Sequence, residues 1–247
     1  MKTGEWWHEF FPAFRPVFGL MSQSETNIQV RYLIAKLGLK RGHRFLDCPC
    51  GIGRVSLPLA RQGIRVTGVD ITESYLEELR AKAKRARLSV ETVHADMRRI
   101  KFENRFDAGG NLWTSFGYFE KESDHLLTLK RMYRALKPGG RFVLQTINRD
   151  WIIANFQPRG WFDLGEGRIL EERALNYERS IIKSKWHFIN DGNVQTCEAS
   201  MRVWSLHEML ELFRRVGFVE LSTSGSEKDD PVSLAQRMMW VFGTKPK

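Results

Sequence analysis

The chain has 247 residues, 42% of them hydrophobic and 28% charged, with 20 Gly, 8 Pro and 3 Cys. That length suffices for one or two domains with a real core, and the composition excludes disordered, collagen-like and disulfide-framework proteins. The formal net charge of +10 belongs wholly to residues 1–150, which hold 26 Lys/Arg against 16 Asp/Glu, whereas residues 151–247 carry 13 of each. So few cysteines imply a reducing, cytoplasmic setting. No charge-free apolar run approaches the roughly 18 residues of a membrane span. Glu5, His8 and Glu9 interrupt any signal-peptide core.

The first 43 residues read as a helical lead-in, with six aromatics (Trp6, Trp7, Phe10, Phe11, Phe14, Phe18) at a spacing that suits a packing stripe or a cover over a site. From residue 44, short apolar runs alternate with helical stretches. Arg44 to Cys48, Ile64 to Asp70, Val90 to His94, Phe106 to Leu112 and Arg141 to Ile147 read as strands. Helices follow the first turn, then Thr72, then Glu122 to Leu136, the last ending in the turn Lys137-Pro138-Gly139-Gly140. Such alternation implies a parallel sheet covered on both faces.

After residue 150 the period becomes two. Ile169 to Tyr177, Ser180 to Ile189 and Val194 to Trp204 read as successive antiparallel strands, wet on one side. Ser205 and Glu208 form a capping box opening a helix that Gly217 stops. Phe218 to Ser222 and Leu234 to Phe242 then close the chain as two strands around an acidic loop. The expected divisions are residues 1–43, 44–150, 151–204 and 205–247.

The strongest local signal is Leu46-Asp47-Cys48-Pro49-Cys50-Gly51-Ile52-Gly53-Arg54, a strand entering a glycine turn before a helix. Asp70 ends the second strand, where a carboxylate can accept both hydroxyls of a ribose, and Asp96 with Met97 follows the third. Each acid taken alone also suits a helix cap. Three of them at successive strand ends, with Pro49 where a dinucleotide dehydrogenase wants glycine, do not fit that class. Together with Asn111 at the fourth strand end and Leu136 to Gly140, they resemble the class I S-adenosylmethionine-dependent methyltransferases over roughly residues 44–147. The segments around Asn111 to Tyr118 and Thr146 to Trp151 are similar to a bacterial small-molecule branch of that family.

The resemblance implies a Rossmann-like, doubly wound α/β fold with a mostly parallel seven-stranded sheet, a C-terminal antiparallel hairpin and an inserted small antiparallel sheet. It implies S-adenosylmethionine as donor and S-adenosylhomocysteine as product, with Asp47, Gly51 and Gly53 at the methionine end. Asp70 would take the ribose, Asp96 and Met97 the adenine, and Asn111 the sulfonium end through its carbonyl. Pro49 departs from the family's glycine and removes an N–H there. Residues 1–43 become a lid, and residues 151–204 an insertion that shapes the acceptor pocket or a dimer contact.

On the acceptor side the candidates are Trp113, Phe116, Arg149, Trp151, Trp161 and Arg15, with His187 and Tyr118 as candidate bases. The sequence shows no His–Asp pair at a strand end, and this favours nitrogen over oxygen as acceptor. Cys48 and Cys50, with Cys197 remote, do not make a four-ligand zinc site, so no metal is expected. The cluster Arg80, Lys82, Lys84, Arg85, Arg87 with Arg98, Arg99 and Lys101 offers an RNA-binding alternative, but it lacks interleaved aromatics. A non-catalytic scaffold that keeps the fold is a further alternative. The overall expectation is a small-molecule methyltransferase with neither nucleic acid nor membrane as partner.

Overall fold

The computed structural model describes residues 5–165 and 167–247. In chain order, helix α1 (Trp7–Phe14) runs into a 3-10 segment (Arg15–Leu20) and then α2 (Gln23–Leu37). Ser22 and Glu25 form a capping box that starts α2, and Gly38 at φ 60° ends it. Strands β1 (Arg44–Asp47), β2 (Arg65–Asp70), β3 (Val90–His94), β4 (Phe106–Asn111) and β5 (Leu136–Ile147) follow. They alternate with helices α3 (Ser56–Arg61), α4 (Glu73–Arg85) and α5 (Glu122–Ala135).

Next come α6 (Arg149–Ala154), strands β6 (Arg159–Leu164), β7 (Gly167–Asn176), β8 (Ile181–Asn190) and β9 (Asn193–Arg202), and helix α7 (Leu206–Val216). Strands β10 (Val219–Ser224) and β11 (Met238–Thr244) finish the chain. The capping box of Ser205 and Glu208 and the left-handed Gly217 bound α7 where the sequence places them.

Seven strands form one sheet in the order β10-β11-β5-β4-β1-β2-β3, and β6 to β9 form a second, antiparallel sheet. In the first sheet β1 to β5 are parallel, and β11 runs antiparallel between β5 and β10. This is the Rossmann-like arrangement that the resemblance implies, with a C-terminal hairpin and a separate antiparallel sheet. One apolar layer, including Leu33, Phe45, Leu59 and Trp240, packs α2 and α3 on one face. The other, including Phe106, Met132, Phe142 and Phe213, packs α5 and α7 on the opposite face.

Three local expectations change. The second sheet has a fourth strand, β6, which the sequence conceals because Pro158, Gly160 and Gly165 punctuate it. The Lys137–Gly140 turn lies inside β5, where the register jumps from Phe106↔Leu136 to Ala108↔Arg141 and Gly139 takes φ 76°. The last strand starts at Met238, not Leu234, since its pairing with β5 runs from Ile147 to Arg141.

Candidate active site

Strand order reverses between β1 and β4, the switch point at which open α/β sheets form a crevice beyond their carboxyl ends. A cavity of about 1310 Å³ opens there and extends to the second sheet. Asp47, Gly51, Asp70, Asp96 and Met97 line its sheet side, and Trp113, Tyr118 and Trp151 line it further out.

Asp70 is held at the centre of this edge. Its Oδ2 accepts the Gly51 amide at 2.8 Å and its Oδ1 accepts the Thr72 amide at 2.9 Å. Burial pushes its carboxyl up against those two donors. Gly51 has φ 52°, a region that favours glycine, and a Cβ there would come 3.1 Å from the Phe18 ring. Asp96 lies on the cavity with both oxygens bonded to Arg98. Burial pushes Asp96 up, but the Arg98 side-chain and backbone hydrogen bonds outweigh it and hold the carboxyl below its usual range.

Asp47 accepts the Ser56 hydroxyl at 2.6 Å, and burial pushes its carboxyl up to about 6 despite that bond and the nearby Arg54. The sign follows directly. A folded-state value above the unfolded one favours the protonated acid, so this contribution to stability is full below pH ~3.8 and is lost as pH rises through ~6, a swing of about 3 kcal/mol. A cationic ligand group beside Asp47 favours the ionised form. Affinity for S-adenosylhomocysteine is therefore expected to rise with pH up to about 6 and then level off. In Asp47→Asn the profile flattens and binding near neutrality weakens. Titration calorimetry across this range checks it, and a wild-type profile flat through pH 6 would contradict the assignment.

The lead-in closes the cavity from above. Trp6 and Phe11 pack on Tyr118 at 5.4 and 5.5 Å, and Phe14 touches both Trp113 (5.9 Å) and Trp186 of β8 (5.6 Å). Arg15 lies outside this lining and clasps Glu78 of α4 at 2.5 and 2.7 Å, which fastens the cover to the core.

Several candidates are displaced from the cavity for identifiable reasons. His187 sits on the opposite face of β8 from Trp186, bonded to Thr196 at 2.9 Å and Glu172 at 3.2 Å. Trp161 is 62% exposed, with Arg168 stacked 5.0 Å above its ring. Arg149 turns outward to Glu208 and Asp150 at 3.2 and 3.1 Å. Phe116 is core, packed on Trp204 and on His125, a buried histidine whose burial lowers its value to about 4. Gly53 closes the turn by donating its amide to the Cys50 carbonyl at 3.0 Å, and a Cβ there would fall 2.2 Å from Leu79. Asn111 donates to the Cys48 carbonyl at 3.0 Å, and its buried Oδ1 has no partner.

A polar circuit at the site escapes the sequence reading. Arg54 donates to Gln29 at 2.5 Å, Gln29 to Gln145 at 3.3 Å, and Gln145 Oε1 also accepts the Trp113 amide at 3.0 Å. Trp113 and Thr114 are both left-handed, at φ 56° and 59°, a conformation that costs about 1–3 kcal/mol per residue unless held. Gln145 holds it, so Gln145→Leu is expected to weaken S-adenosylhomocysteine binding by about tenfold. Gln145→Glu keeps the accepting oxygen and is expected to restore most of that affinity. Equal affinity in all three proteins by calorimetry would refute this role. Gln145 reads in sequence as an interruption of an apolar strand, and only its pairing partners reveal its role.

Within the basic cluster Arg80 pairs with Glu73, Lys82 with Glu78, and Arg98 with Asp96 and Asp124. Cys48 and Cys50 are buried, and burial raises both thiols. Among the described residues no helix is long and apolar enough to cross a membrane.

Residues 45–140 match the model of a methyltransferase domain. The chain carries a domain of the class I S-adenosylmethionine-dependent methyltransferases. It is 28% identical over 241 residues to YqeM of Bacillus subtilis (strain 168), provisionally named a methyltransferase, covering 93% of this chain and 95% of that one. An S-adenosylmethionine-dependent methyltransferase from Clostridium acetobutylicum ATCC 824 superposes with TM-score 0.79 at 14% identity, over 98% and 99% of the two chains. The sugar N-methyltransferase KedS8 from Streptoalloteichus sp ATCC 53650 superposes with TM-score 0.68 at 16% identity, over 90% and 87%. The lining of this cavity suits the cofactor of such enzymes: carboxylates for hydroxyls and amines, and aromatic faces for a sulfonium.

Proposed function

We propose that this enzyme methylates a nitrogen of a small molecule held between the strand ends of the first sheet and the inner face of the second. The observation that carries the reading is the single aromatic-walled cavity joining those two surfaces. At about 1310 Å³ it exceeds the roughly 300–1,000 Å³ of a typical one-ligand pocket, leaving room for donor and acceptor together.

Asp70 would hold the ribose, Asp47 and Gly51 the methionine end, and Met97 with Asp96 the adenine. When bound, S-adenosylmethionine supplies an activated methyl group on a sulfonium. The chain's own task is alignment and exclusion of water, which the α1 aromatics perform over Trp113 and Tyr118. A neutral amine supplies the electron pair for the new N–C bond, the departing pair stays on sulfur, and the ammonium product releases its proton to water.

Nitrogen is favoured because neither Tyr118 nor the three strand-end acids is poised to ionise a hydroxyl. Burial pushes the Tyr118 hydroxyl up, so it stays protonated near neutrality. Asp70, Asp47 and Asp96 are already bonded to donors of the chain. The name of KedS8, a sugar N-methyltransferase, agrees with this choice. The test is transfer of labelled methyl from S-adenosylmethionine to a set of small amines and their matched alcohols. Label is expected in amines; label confined to alcohols would overturn the nitrogen assignment.

A further inference from the structure

The inner face of the second sheet carries a buried acid. Glu171 of β7 is 7% exposed and lines the cavity. Strand register places it in one row with Gly160 of β6 and Trp186 of β8, next to a row containing Phe162 and Phe188. Arg173, two residues along the same strand, donates to Glu171 Oε2 and reaches the Gln157 carbonyl at 3.2 Å. Gly160 makes this possible, since a Cβ there would come 3.0 Å from the Arg173 guanidinium.

The pair joins neighbours on one strand, and Arg173 also reaches the Gln157 carbonyl ahead of β6. A buried pair of that kind is weak support for stability compared with apolar side chains of similar size. Arg173 holds Glu171 Oε2, whereas Oε1 accepts no hydrogen bond among the described residues on a side chain that lines the cavity. The cavity is where a donor to Oε1 can come from.

We propose that Glu171, oriented by Arg173, is the recognition site for the acceptor and selects amines. An N–H of a cationic or amine-bearing small molecule bonds Oε1, and its apolar body lies against Trp186 and Phe162, whose faces also favour a cation. The inference rests on the small-molecule reading above and narrows it to amine-bearing acceptors.

The experiment is calorimetry on the full chain saturated with S-adenosylhomocysteine, titrated with 2-phenylethylamine, 2-phenylethanol and 3-phenylpropanoate near neutral pH. The amine is expected to bind about tenfold or more tighter than the alcohol, with the carboxylate weakest. Glu171→Gln is expected to erase that preference while S-adenosylhomocysteine still binds, which shows that the fold is intact. If the lone Arg173 prevents folding, the double variant Glu171→Gln, Arg173→Leu removes both charges and must erase the preference too. Equal binding of the alcohol or carboxylate, a preference that survives Glu171→Gln, or no binding by any probe would overturn the proposal. Failure of S-adenosylhomocysteine to bind the wild-type chain would instead strike the cofactor assignment.

Discussion

Replacing Asp70 with alanine is expected to weaken S-adenosylhomocysteine binding by about 100-fold or more. Two hydrogen bonds to a charged acceptor, at about 1.5–3 kcal/mol each, account for a loss of that size at 1.4 kcal/mol per factor of ten. The structure explains why the effect is concentrated on this residue. Asp70 takes the Gly51 and Thr72 amides on separate oxygens, so it shapes both the glycine turn and the start of α4. Its loss removes the proposed ribose acceptor and leaves two amides unpaired in the same step. The apo protein loses less than the complex, because removing a carboxylate that burial disfavours offsets part of the cost. Asp70→Asn keeps one accepting oxygen and is expected to fall between alanine and wild type. Calorimetric affinity unchanged in Asp70→Ala would remove Asp70 from the site.

The largest expected effect on stability lies at Gly117. It has φ 126°, and a Cβ there would sit 2.3 Å from the backbone oxygen of Arg202. The Arg202 amide also donates to the Gly117 carbonyl at 2.8 Å. The two chains therefore meet backbone to backbone, at the point where the segment after β4 touches the end of β9. A methyl group cannot be absorbed by rotating a side chain. Left-handed strain of about 1–3 kcal/mol and overpacking of a similar size add to roughly 2–6 kcal/mol for Gly117→Ala. For a chain of this length each kcal/mol lowers Tm by about 2–4 °C, so a fall of about 5–15 °C is expected in a thermal scan. Because Tyr118 follows directly and lines the cavity, the acceptor KM is expected to rise in the same variant. A Tm within about 2 °C of wild type would show that the contact yields easily.

The sequence by itself determined the frame of this protein. Asp47, Gly51, Asp70 and the α7 capping box are legible because strand ends, glycine turns and helix caps are local chemistry, written in a few adjacent residues. The alternation of strand and helix from residue 44 determined the parallel sheet for the same reason. Which residues meet on the outer side of the cavity depends on tertiary packing alone. A two-residue period divides β8 into two faces without saying which meets the cavity, so His187 and Trp186 were equivalent until α1 packed on the tryptophan face. Phe116, Trp161 and Arg149 carry no positional signal, since an aromatic or arginine in a loop suits core, surface or site alike. Gln145 and Glu171 owe their roles to partners 32 residues away on Trp113 and across the strand rows at Gly160 and Trp186. Burial and register between distant segments are sums over the whole fold, and no window of the chain contains them.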